Sequence, residues 1–171
     1  RSCHTITTTC LRINKFTFQG GGMHGEALGR LAALRHKRAE LLREFNLQRA
    51  VWRAAEPRAG GELRLALAAR TMDPPVTSRE FWLAFSANAV ECLHLQHEIL
   101  HAAQDCGVEV DADQLHAVQE RWIAACMIRE ESRPSRGQEV VDVAVLSVLV
   151  GQAERCAVDS MLQVLDALPV R

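Results

Sequence analysis

From Met23 onward, apolar residues recur every three or four positions, the spacing that aligns side chains along one side of an α-helix. In the first such segment the recurring positions are Leu28, Leu31, Leu34, Leu41, Leu42, Phe45, Leu47 and Val51. Ala, Leu, Arg, Glu and Gln are plentiful, and all of them favour helices. No credible strand pattern follows residue 22. This periodicity predicts an all-α domain over residues 23–171.

Glycine, proline and capping residues divide this region into short antiparallel helices joined by short turns. Thr77 or Ser78 caps a helix, and a second helix that carries "HEILH" follows it and ends at Gly107. An Asp cap begins the next helix, which runs to the break "SRPSRG". The other predicted helices cover 23 to about 56, 62–71, 138–153 and 157–168.

Residues 1–22 differ from the rest of the chain, being rich in Thr and lacking acidic residues. Leu11, Ile13, Phe16 and Phe18 alternate roughly as in a β-strand, and Gly20–Gly22 then breaks the chain. A segment this short cannot bury itself, so we expect an extended arm that docks on a partner through these four apolar residues. The alternative is a strand or tail that covers its own domain.

Two stretches of the helical region resemble parts of pentatricopeptide (PPR) repeats. The family's first-helix pair is represented by Leu149–Val150, and its turn by Gly107, Val108 and Asp111, with Val110 where the family prefers Pro. The second-helix apolar stripe is represented by Met161, Leu162, Val164, Leu165 and Leu168. The resemblance covers residues 76–168, and 76–110 is one repeat length, about 35 residues. It implies antiparallel helical hairpins stacked as a short PPR- or tetratricopeptide-like solenoid.

PPR proteins commonly bind RNA, so RNA binding is the first alternative function. Ser147 and Asp111 are the positions that match the family's base-reading residues, but they belong to different repeat units. Base reading requires several repeats and a basic groove, whereas this chain has room for about three units and a formal net charge of -1. We therefore expect the repeat face to bind proteins rather than nucleic acid.

The sequence "HEILH" has the two histidines, four residues apart, of a zinc-protease helix. His97 and His101 would be two ligands, and Glu120 is a conceivable third. The extended zinc pattern is absent, because Gln104 and Gly107 stand where it needs Gly and His. No upstream edge strand is predicted to hold a peptide substrate. A zinc metallohydrolase is therefore the lesser alternative, and we expect no catalytic residue, no metal and no cofactor.

The six cysteines are never arranged as Cys-x-x-Cys. Those at positions 92, 106, 126 and 156 lie in helical segments and are predicted to be small buried hydrophobes in a reducing compartment. Cys3 and Cys10 could instead form a disulfide, or bind a metal with His4. The spacing does not distinguish these possibilities.

These features together predict a non-catalytic accessory subunit of a large mitochondrial protein complex. Its surface contacts are expected from the arm and from Trp82 and Trp122, since tryptophans often anchor cores or interfaces. Arg1 in place of Met fits a removed transit peptide, which favours the mitochondrial matrix over the cytoplasm, although a fragment boundary would look the same. No apolar stretch reaches the length of a membrane span.

Overall fold

The computed structural model describes residues 23–55 and 60–157, which form five helices. These are α1 (Met23–Ala55), α2 (Gly61–Arg70), α3 (Ser78–Asp105), α4 (Ala112–Glu131) and α5 (Val143–Ala157). They pack against one another, and the described residues contain no strand. The prediction of an all-α fold built from helical hairpins is therefore confirmed. Residues 1–22, including the predicted arm with Leu11, Ile13, Phe16 and Phe18, and the predicted helix after residue 157 lie outside the described residues.

Helix α3 is the centre of the molecule, because each of the other four helices packs against it. Its aromatic residues Phe81, Trp82 and Phe85 are all completely or almost completely buried. Phe85 contacts both Phe45 and Trp52 of α1, with ring centroids 5.5 Å and 6.3 Å apart. The buried residues of this helix extend along most of its length, from Phe81 to Ala103.

The prediction of two helices between Thr77 and Gly107 was wrong, because α3 runs through as a single helix. No glycine or proline interrupts residues 78–105. The polar Asn88 in the middle of the helix does not break it, since its side-chain amide donates to Gln48 Oε1 of α1 at 2.8 Å. A cross-helix hydrogen bond thus satisfies a residue that would otherwise favour a turn.

Both ends of α3 have the capping structures that the sequence indicated. At the start, Glu80 N donates to Thr77 Oγ1 at 3.2 Å and Thr77 N donates to Glu80 Oε2 at 2.8 Å, forming a capping box. At the end, Gly107 has a φ of 82°, a conformation that glycine adopts without strain. Val108 N then bonds to Ala103 O at 3.0 Å, so the chain leaves α3 in a Schellman turn.

Helix α5 begins at Val143, five residues later than the predicted start at residue 138. Residues 135–138 form a turn instead, in which Gln138 N donates to Ser135 O at 3.1 Å and Gly137 has a φ of 79°. Asp142 then caps the helix, because its Oδ1 accepts a hydrogen bond from Val145 N at 3.0 Å. This cap determines where the helix starts, although the apolar run begins earlier.

The buried side chains form two larger apolar clusters. The main cluster joins all five helices around Phe45, Trp82 and Leu146. The second cluster lies between the first half of α1 and the last part of α3, with Leu31, Leu34, Leu95, Ile99, Ala102, Ala103 and Cys106 buried. Leu41 packs against both clusters and connects them.

Cys92, Cys106 and Cys126 are not in disulfide bonds. Cys92 is buried in the main cluster and Cys106 in the second cluster, as predicted for small buried hydrophobes. Cys126 is only half-buried. Burial raises the pKa of the Cys106 thiol, with Asp105 as a second cause, so that the reactive thiolate is scarce. Cys3 and Cys10 lie outside the described residues.

Candidate functional site

Three histidines of α3 lie on one face of the helix, opposite α4. His94, His97 and His101 are separated by three and four residues, so they follow one another along successive turns. All three are half-buried. The face they occupy borders the apolar side of α3, on which Leu95 and Ile99 are buried in the second cluster. The "HEILH" sequence is thus at a junction between two helices.

Trp122 of α4 covers this histidine face. Its ring stacks on His94, with centroids 4.3 Å apart and planes inclined by 20°. The same ring lies 5.5 Å from His97 at an angle of 30°. We call the four residues His94, His97, His101 and Trp122 the histidine–tryptophan cluster. An indole face that contacts two imidazoles excludes water from one side of them.

The side chains of His97 and His101 converge on one point. Their Nε2 atoms are 3.2 Å apart, and the ring planes cross at 78° with centroids separated by 4.5 Å. In the neutral state one Nε2 carries the proton and the other accepts it. In the other tautomer, with the proton of each ring on Nδ1, the lone pairs of both Nε2 atoms are directed into the same small volume.

Charged side chains from α1 and α3 surround the cluster. His94 Nδ1 lies 3.5 Å from Glu91 Oε2, and His94 Nε2 lies 4.0 Å from Glu98 Oε1. Lys37 of α1 reaches the other side of Glu91, with Nζ 2.6 Å from Oε1. The pKa of Lys37 is raised, first by this hydrogen bond to Glu91. Lys37 therefore stays charged and partly neutralises the acidic group.

His97 differs electrostatically from an exposed histidine. Its pKa is lowered, first by burial and then by the neighbouring His101 and His94, while Glu98 acts weakly in the opposite direction. Burial disfavours the charged imidazolium, and nearby imidazoles disfavour a second positive charge. His97 is consequently neutral at pH 7, with a nitrogen lone pair free to bind a proton or a metal ion.

The structure does not bring together the three zinc ligands considered from the sequence. Glu120 pairs with His116 of its own helix, with Oε1 3.2 Å from Nε2. Both members of that pair are strongly exposed. In residues 23–55 and 60–157, no group of three or more His, Cys, Asp or Glu side chains could hold a metal ion.

The sequence did not reveal the contact between Trp122 and the histidines, but the chain contains a signal for it. Helices α3 and α4 form a hairpin around the turn at Gly107 and Val108. His94 lies 14 residues before position 108 and Trp122 lies 14 residues after it. Because the two helices have the same rise per residue, residues equally far from a tight turn face each other. This count would have paired the two residues.

Trp82 and Trp122, both expected to mediate surface contacts, occupy different environments. Trp82 is completely buried, and its indole N–H donates to Asp142 O at 2.9 Å, linking α3 to the start of α5. Trp122 is half-buried in the histidine–tryptophan cluster. Ser147, considered for RNA reading, is half-buried on α5, and Asp111 caps α4 by accepting from Asp113 N at 3.0 Å.

Two pairs of large apolar side chains are instead exposed on the surface. On α2, Leu63 and Leu67 are 57% and 39% exposed. On α4, Ile123 and Met127 are 47% and 59% exposed. Each pair is separated by four residues, so its members lie side by side on one helix face. We call them the α2 pair and the α4 pair.

No protein-family model, no curated protein and no solved structure matches the chain. In the part of the chain that the structure describes, the fold defines an all-α class in which four helices pack against a central fifth. None of the described helices is long and apolar enough to cross a membrane.

Proposed function

We propose that this protein is a non-catalytic subunit that binds other proteins within a large mitochondrial complex. The observation that carries the proposal is the exposure of the α2 and α4 pairs. Adjacent exposed apolar side chains on rigid helices are characteristic of surfaces that a partner covers. Single exposed apolar residues are common, but two pairs at one-turn spacing are less so.

The α4 pair is the stronger of the two candidate contacts. Ile123 and Met127 lie on the helix that carries Trp122, whose ring packs against the imidazoles of His94 and His97 of α3. The methionine is unbranched and polarizable, which suits contact surfaces that adapt to a partner. Methionine is also one of the residue types enriched at the centres of interfaces.

The particular complex that we propose is the mitochondrial ATP synthase, with this protein as a peripheral subunit on its catalytic head. The support is a similarity in size, helix pattern and predicted N-terminal arm to the small PPR-like accessory subunit on the head of the euglenozoan enzyme. This part of the proposal rests on architecture alone, because fold does not determine function. Naming one complex specifies which proteins should co-purify, so the assignment can be tested.

The test is purification of the tagged protein from its native source through a high-salt wash and nuclease treatment. We expect subunits of the ATP synthase head to be retained in constant ratio, because hydrophobic contacts do not depend on ion release. The double variant Ile123→Glu/Met127→Glu should keep the helical circular dichroism of the parent but lose these subunits. Ala33→Glu, at an exposed position of α1, is the matched control and should retain them.

Three results would each contradict one part of the proposal. Release by nuclease would favour the RNA-binding alternative, in which affinity falls steeply with salt. A constant set of co-purifying subunits from another complex would remove the ATP synthase assignment but leave the scaffold function. Retention of all subunits by the double glutamate variant would show that the α4 pair is not the contact surface.

A further inference from the structure

We propose that His97 and His101 form a two-ligand chelate for a divalent transition-metal ion of the Zn²⁺ class. The proposal goes beyond the protein-binding function and does not depend on it. The two imidazoles supply neighbouring coordination positions through their Nε2 atoms, and the remaining positions are left to water.

The distance between the two nitrogens suits a single metal ion. Nitrogen ligands at about 2.0–2.1 Å from Zn²⁺ in a tetrahedral arrangement are roughly 3.3–3.4 Å from each other. The Nε2 atoms of His97 and His101 are 3.2 Å apart. Binding thus requires only a small adjustment of two side chains on one rigid helix, so little conformational entropy is lost.

The surroundings hold the two nitrogens in place and favour a cation. Trp122 packs against the His97 ring and restricts its rotation. Glu98 lies between the two histidines in sequence and carries a negative charge on the neighbouring face of α3, where its partner is His94 at 4.0 Å. Neutral imidazole is the form that binds a metal, so these two side chains can act as ligands at neutral pH.

Two exposed histidines outside the histidine–tryptophan cluster offer matched controls. His36 pairs with Glu40, with Nε2 3.5 Å from Oε1, and His116 pairs in the same way with Glu120. Each is exposed, lies on a helix and has a carboxylate four residues later, but neither has a second imidazole. If a single helical histidine beside a glutamate were sufficient, these positions would bind the metal equally well.

The experiment is calorimetric titration of the chelator-treated full chain with ZnCl₂ at pH 7.5. A Cys3→Ser/Cys10→Ser background removes the other candidate ligands suggested by the sequence. We expect one Zn²⁺ per chain, with affinity reduced about tenfold or more in His97→Ala and in His101→Ala, because ligand loss should cost at least as much as loss of a supporting group. Binding should also be lost at pH 5.5, where protons compete for the imidazoles.

Controls separate a lost ligand from a lost fold. His36→Ala and His116→Ala should leave the affinity unchanged, and circular dichroism should show equal helix content in every variant. If His101→Ala is poorly folded, His101→Gln keeps a side chain of similar size and is used instead. Equal affinity in the parent and the His97→Ala/His101→Ala double variant, or no binding by the parent, would overturn the proposal, as would an equal loss in His116→Ala.

Discussion

At the scale of single residues, His97 illustrates how neighbours change the chemistry of a side chain. Its ring contacts the rings of both Trp122 and His101. The sequence identified both histidines and their common helix face. It did not identify Trp122 as their neighbour, because that contact depends on the register between α3 and α4.

The lowered pKa of His97 predicts how stability depends on pH. The folded state binds the His97 proton less tightly than the unfolded state does, whose histidine pKa is about 6.5. The contribution of neutral His97 is therefore present above pH 6.5 and is lost as pH falls through the lower folded pKa. The free energy of unfolding should fall between pH 7.5 and pH 5, and by less in His97→Gln.

Urea denaturation at several pH values gives the free energy of unfolding, and the effect is measured as its slope against pH. Lys37 of α1, Glu91 and Glu98 of α3 and the imidazoles of His94 and His101 also face the site, so the comparison must be between variants. His116→Gln removes an exposed histidine and is the control. A variant at position 97 with the same pH slope as the parent would contradict the prediction.

At the scale of whole helices, the sequence predicted helix boundaries better than it predicted that α3 runs without a break. Thr77, Gly107 and Asp111 mark boundaries because capping and left-handed turns are local properties of a few residues. The length of α3 depended on a contact from another helix, since Asn88 is satisfied by Gln48 of α1. Such a contact is not visible in the local pattern.

Trp82 fixes the position of α5 against α3, so its replacement tests how the two helices are joined. Trp82→Phe removes the hydrogen bond to Asp142 O and leaves a small cavity in the main cluster. We expect the free energy of unfolding to fall by about 1–3 kcal/mol. Trp122→Phe, at a half-buried position where an aromatic ring is kept, is the control and should cost less.

Urea denaturation followed by circular dichroism gives both values. A loss of stability in Trp82→Phe no greater than in Trp122→Phe would show that the bond between α3 and α5 contributes little. The same experiment tests whether Trp82 acts in the core, because a core residue affects the isolated protein in the absence of any partner.

At the scale of the whole molecule, the all-α class followed directly from the three- and four-residue spacing of apolar positions. The central position of α3 did not follow from this spacing. Every predicted helix was apolar on one side, and the pattern does not show which helix the others pack against. The candidate site was predictable only in part for the same reason. His97 and His101 share a helix, whereas Trp122 and Glu120 required knowledge of the packing.

The two larger clusters predict unequal stability along the molecule. The second cluster is built from only two helices, with Leu41 as its link to the main cluster. Regions with fewer buried contacts open at lower free energy than the rest of a domain. Native-state hydrogen exchange should therefore be faster for the backbone amides of Ile99–Ala103 than for those of Phe85–Leu93. Equal protection in the two segments would show that α3 opens as one unit.

Each of the two clusters contains one buried cysteine, Cys92 in the main cluster and Cys106 in the second. A thiol reagent can modify either residue only after its surroundings have opened. The modification rate of each cysteine therefore reports local opening of its own half of α3. When opening limits the reaction, the ratio of the two modification rates equals the ratio of the local opening rates of the two halves. The same ratio measured in an assembly would show in which half of α3 a bound partner suppresses local opening. The native cysteines serve as the reporters, so no introduced residue is needed.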